Sequence, residues 1–162
     1  MTKKLPNKKN IGRKRSLSRL MAIQIFYQFD FLRDAKKLDE VKRDIIENYL
    51  IDEKENISSY REKIDESFLD NLLAGLSLDV KKIDEEISTV LKTGWSIDNL
   101  DSVVVQILRF GSFELKFMQD IPTKVILDEY VDIAASFFEG KKVMFVNAAL
   151  DSLAKKLREN KI

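Results

Sequence analysis

The 162-residue sequence contains no cysteine and no histidine. The missing cysteine excludes a disulfide framework, and the two absences together remove the usual zinc ligands and the commonest general base. Only five glycines are present. None of them cluster, so no loop of the kind that cradles a phosphate can be drawn. No apolar run approaches the roughly 18 residues of a membrane span. No stretch reads as a strand or hairpin. These gaps argue against an enzyme, a metal site or a bound cofactor, and against a membrane partner.

What is present is apolar and charged residues, at 44% and 34% of the chain. That suits one helix-rich domain, or two small halves sharing a core. The net charge of +1 hides an asymmetry: residues 1–19 hold eight Lys or Arg and no acid, which leaves 20 basic against 27 acidic residues after them, a net of −7. A basic arm on an acidic body points to nucleic acid or another anionic surface. Charge alone equally allows a disordered, solubilising tail, and Pro6, Asn7 and Asn10 suit a flexible arm over residues 1–12. Gln24, Gln28 and Asp30 interrupt the apolar stretch after it, and no small-residue cleavage site follows. A secretory leader is therefore not expected, and the cytoplasm is.

The stretch Gly12 to Arg33 carries Arg13, Lys14, Arg15 and Arg19 and then becomes strongly apolar. On a helix, Leu17, Leu20, Met21, Ile23, Ile25, Phe26, Tyr27, Phe29 and Phe31 point in nearly every direction, so its neighbours are expected to enclose it, with the cationic end emerging. Leu38, Val41, Ile45 and Tyr49 mark a second helix at spacings of three and four. Residues 52–62 read as a charged surface loop. A long helix from near Ile64 carries Phe68, Leu72, Leu76, Ile83, Ile87 and Val90, and Gly94 suits its left-handed cap. Trp95 stands at a corner, where packing is the simpler role. A cap at Asp98 or Asn99 then opens a helix through Leu100, Val104, Ile107, Gly111 and Leu115. Gly111 in mid-helix costs about 1 kcal/mol against alanine, which predicts a close helix crossing there. Pro122 fits the first turn of the next helix, and the last one carries Val146, Leu150, Leu153 and Leu157. The class is all-α with about six or seven helices, the main domain covering residues 13–160.

Catalysis finds little support. Asp128 and Glu129 are the most suggestive carboxylates, but adjacent residues diverge by about 100° on a helix and cannot flank one substrate. Binding fits better. Arg15 and Arg19 share a helical face, and guanidinium forks suit phosphates. Tyr27 offers a stacking face for an unpaired base, although an aromatic on such a helix more often belongs to the core. Lys141 and Lys142, before the last helix, read as a solvated pair unless the fold sets them beside a site.

Several segments together resemble the transcription antitermination factor NusB family. Arg19, Ala22, Gln24 and Tyr27 match its first-helix signature, with Ser18 in place of the usual alanine. LLAGL at 72–76, Trp95, ILRFGSFELKF at 107–117, DIPTKVILDEYVDIAASF at 120–137 and FVNAALDSLA at 145–154 follow in the family's order. The resemblance implies an all-helical fold of two small halves around the first helix. It also implies binding of single-stranded boxA RNA, in company with the small-subunit ribosomal protein that acts as NusE. Assembly with NusA, NusG and RNA polymerase on ribosomal RNA operons would follow, and some relatives form homodimers.

Carried residue by residue, the resemblance places RNA contacts at Arg13, Lys14, Arg15, Arg19, Gln24, Tyr27, Lys141 and Lys142. It places partner contacts at Asn99, Val104 and Val105. The family often has Arg-Leu at Asn99-Leu100 and a charged pair at Val104 and Val105, so an altered, more apolar partner contact is expected. Lys141 and Lys142 replace acidic or small polar residues and should raise RNA affinity while weakening discrimination. If about four cations engage phosphates, log affinity should fall with log salt at a slope near −3. The competing reading is a helical protein–protein adaptor or dimerisation module with a non-specific basic tail.

Overall fold

A computed structural model describes residues 8–32, 35–53 and 62–159 of the chain. They form six α-helices: α1 (Lys8–Leu32), α2 (Leu38–Glu53), α3 (Glu66–Ser88), α4 (Ser102–Phe117), α5 (Thr123–Phe137) and α6 (Lys141–Ala154). A 3-10 turn at Ile97–Asn99 precedes α4, and a π-helical turn at Lys155–Glu159 continues α6. No strand occurs among the described residues, so the class is all-α as expected. Nor is any helix among them long and apolar enough to cross a membrane. Most of the charged segment expected as a loop, residues 54–61, lies outside the described residues.

Packing divides the chain into two units, Met1–Leu73 and Ala74–Ile162. In the first, α1 packs on α2. The buried side of α1 carries Ser18, Arg19, Met21, Ala22, Ile23, Ile25 and Phe26. Contrary to the expectation of a helix enclosed all round, Arg13, Gln24, Tyr27 and Phe31 are exposed. The 3.6-residue repeat puts these four within an arc of about 60°, one open side of α1. α1 also begins at Lys8, inside the segment expected to be a flexible arm. Val41 is buried on α2, and Lys42 reaches the start of α3, 2.6 Å from Asp70 and 3.6 Å from Glu66.

In the second unit the helix buried on every side is α4. Each residue from Val104 to Leu115 is buried, and α4 packs against both α5 and α6. Four of these residues, Gln106, Arg109, Ser112 and Glu114, are polar, and burial without partners would cost several kcal/mol. Arg109 forms a two-pronged pair with Asp84, Nε to Oδ1 at 2.8 Å and Nη2 to Oδ2 at 2.7 Å, and also donates to Gln106. Glu114 accepts the hydroxyl of Tyr130. Gly111 is where α4 meets its neighbours, as its mid-helix position predicted. A Cβ there would sit 2.7 Å from a Leu150 methyl and 3.6 Å from the Tyr130 ring.

The ends of these helices are set locally. Gly94 has the left-handed conformation expected of it, φ +88°, but α3 already ends at Ser88, so Gly94 shapes the turn before Trp95 and does not cap the helix. The cap of α4 differs from expectation. Asp98 and Asn99 belong to the 3-10 turn, where Asn99 accepts from the Ser96 N–H at 2.8 Å, and the cap itself is Asp101, accepting from the Val103 N–H at 2.8 Å. The 3-10 turn uses up the first two candidates and delays the helix. At the far end of α4, Arg158 donates to the carbonyls of Glu114, Leu115, Met118 and Ile121 and to the Thr123 hydroxyl. Burial lowers the Arg158 pKa below its ordinary value, which Glu114 and Asp120 partly counter.

Candidate nucleic-acid interface

The basic turns of α1 are sorted by what lies beneath them. Arg13 is exposed, and Lys14 and Arg15 are half-buried. Arg15 lies over the Phe68 ring at 4.7 Å, with its Nε 3.7 Å from Asp65. Arg19, one turn on, is only 2% exposed, and its guanidinium lies 5.0 Å from the same ring. A cation against an aromatic face is attracted by the ring quadrupole, the more so when desolvated. Two of the four cations expected at phosphates are thus drawn toward Phe68, and Arg19 is turned inward altogether.

Ser18 anchors this end of α1. Its hydroxyl donates to the Lys14 carbonyl at 2.7 Å and accepts from the Asp65 N–H at 3.0 Å, while Asp65 accepts from the Phe68 N–H at 3.0 Å. One hydroxyl therefore joins the basic turn to the residue that caps α3. Beyond it, Gln24 and Tyr27 continue the open side headed by Arg13. Tyr27 is 44% exposed, which removes it from the core that an aromatic on this helix was expected to join.

The second unit assembles a different surface. Trp95, Asn99, Leu100, Asp101, Val104, Lys141, Lys142 and Phe145 line a groove of about 280 Å³. Its floor is apolar and its rim carries two exposed lysines. Lys142 Nζ sits 3.4 Å from Asp101 and 4.7 Å from the Phe138 ring centroid. The groove brings together Lys141 and Lys142, expected at RNA, with Asn99 and Val104, expected at a protein partner. Val105 lies beside them in sequence but is buried and does not line the groove. Trp95 was expected to pack, yet it is 53% exposed. The signal was its place right after the positive-φ Gly94, where the chain turns and a large side chain has no helix to lie on.

A family model described as NusB family matches residues 16–155. The chain belongs to the NusB family. The transcription antitermination protein NusB of Caulobacter vibrioides is 37% identical over 145 residues, covering 90% of this chain and 95% of that one. Among solved structures, NusB of T. maritima matches with a TM-score of 0.70 at 30% identity, over 88% of this chain and 91% of that one. A protein chain from the crystal structure of a plectonemic RNA supercoil matches with a TM-score of 0.73 at 26% identity, over 89% and 96%. Against the NusB signature, Ser18 is the departure with a visible consequence: an alanine there has no hydroxyl to offer the Asp65 N–H.

Proposed function

We propose that this NusB-family chain is an antitermination factor that binds boxA-type single-stranded RNA together with the ribosomal protein acting as NusE. It then joins NusA, NusG and RNA polymerase in the cytoplasm, notably on ribosomal RNA operons. The role is binding, with no catalytic step. The observation that carries the reading is the open side of α1, where exposed Arg13 heads a line through exposed Gln24 and Tyr27. Arginine supplies phosphate contacts and tyrosine a stacking face, the pairing that unpaired RNA calls for. Lys141 and Lys142 add charge in the second unit, where sequence-independent attraction strengthens binding to any RNA. A partner meeting exposed Asn99 and the groove wall at Val104 would find less charge than the family's usual pair at Val104 and Val105 supplies.

The test is a mobility-shift titration with boxA RNA and a scrambled control, with and without the ribosomal-protein partner, across a salt series. Tighter binding of boxA, further tightened by the partner and weakened by salt, is the expected result. Binding that ignores both salt and sequence would return the basic segment to the status of a tail.

A further inference from the structure

We infer that Asp65 limits the strength of RNA binding by contesting Arg15, its carboxylate standing beside the guanidinium as an internal substitute for an RNA phosphate. The inference rests on the RNA-binding reading above and adds to it an acidic residue that holds affinity down. The first observation is how Arg15 is kept. Its guanidinium lies over the Phe68 ring at 4.7 Å, and its side chain is 36% exposed. The ring fixes the plane of the fork, yet the buried Nε has no hydrogen-bond partner. Asp65 Oδ2 is the carboxylate oxygen facing it, and at 3.7 Å it is too far for an N–H···O bond. The two charges attract without satisfying the donor. A phosphate offers this fork a proper bond, and it meets the Asp65 charge on arrival.

The second observation is that Asp65 is anchored. Its Oδ1 accepts from the Phe68 N–H at 3.0 Å, and its own N–H donates to the Ser18 hydroxyl at 3.0 Å. Backbone and carboxylate are both tied, so the charge cannot swing away when an anion approaches. Its acidic neighbours are otherwise occupied: Lys42 lies 3.6 Å from Glu66 and 2.6 Å from Asp70. Asp65 is thus the acid of that turn which faces the basic start of α1. A half-exposed pair of this kind is weak, so it yields to phosphate at a cost of about 1.4- to 5-fold in affinity. The cost is the same for every RNA. It trims the attraction that Arg13, Lys14 and Arg15 exert on any polyanion, and leaves the base contacts of Gln24 and Tyr27 untouched.

The test is a double-mutant cycle in the full chain, read by mobility shift with boxA and scrambled RNA across a salt series. Asp65→Asn removes the charge and keeps a side chain that caps a helix well. It should tighten binding of both RNAs by the same factor, about 1.4- to 5-fold. The salt slope should steepen by about 0.7, as one more cation engages phosphate. In an Arg15→Ala background the same substitution should change neither affinity nor slope, because the contested guanidinium is gone. Asp65→Ser, another good cap without charge, should repeat the gain, and an unchanged far-UV spectrum guards both variants against misfolding.

RNA bound by Asp65→Asn with unaltered affinity and slope would reduce Asp65 to a helix cap, overturning the inference and leaving the RNA-binding reading intact. An equal gain with and without Arg15 would make Asp65 a general repulsive charge, and the contest for Arg15 would be overturned. Failure of the unaltered chain to bind RNA, with or without the ribosomal-protein partner, would remove both readings.

Discussion

The basic start of α1 and the rim of the Trp95 groove invite comparison because both carry cations and they look so unlike in sequence. The first is dense in charge, yet Arg19 is buried against Phe68 and Arg15 leans on the same ring. The second has two lysines that read as ordinary solvated charge, and both stay exposed beside an apolar hollow. Counting cations measures the field a segment makes; it does not say which of them can reach a ligand. At α1 part of the charge holds the helix in place, and at the groove Lys141 stays exposed while Lys142, also exposed, is shared with Asp101 and the Phe138 ring.

That contrast can be broken at several points. Arg19→Ala should cost about 2–3 kcal/mol of stability, because it strips a desolvated cation from an aromatic face and leaves a hole. Urea unfolding would read the loss, and a fall in RNA affinity without any loss of stability would instead make Arg19 a phosphate contact. Ser18→Ala should cost about 1–2 kcal/mol, as the Asp65 N–H loses its acceptor; the same denaturation series measures it. Lys141→Asp with Lys142→Asp should leave stability unchanged and weaken boxA binding, seen as a mobility shift displaced to higher protein concentration. If affinity holds, the groove rim has no part in RNA binding. The smallest effect is expected from Arg13→Ala: stability within about 0.5 kcal/mol, and a salt slope for RNA shallower by about 0.7.

Much of the fold was legible because burial follows helical period. The stripe from Phe68 to Ile87 and the run from Val104 to Leu115 are helices whatever surrounds them, and Gly111 announced its crossing through the cost of a glycine in that place. What stayed illegible depended on distant partners. Arg15 and Arg19 look like twins one turn apart and lean on the same Phe68 ring, some fifty residues on; what separates them is depth, Arg15 half-buried and Arg19 buried. Asp98, Asn99 and Asp101 are all good caps, and local sequence does not say that a 3-10 turn takes the first two. Trp95 read as packing because most aromatics in helical domains do pack, and its openness arises from a groove built by Leu100, Val104 and Phe145. The charged twins and the lone indole were visible as residues, but their roles lie in tertiary structure.

The five acceptors gathered by Arg158 also bear on the order in which the molecule is made. Every residue of the first unit has been synthesised by Leu73, but the carbonyls at the end of α4 wait for residue 158. At about 5–20 residues per second, the basic turn of α1 is translated several seconds before the groove unit can close its last hydrogen bonds. The two candidate RNA surfaces therefore have different birthdays on the ribosome, and the one around Trp95 is the younger.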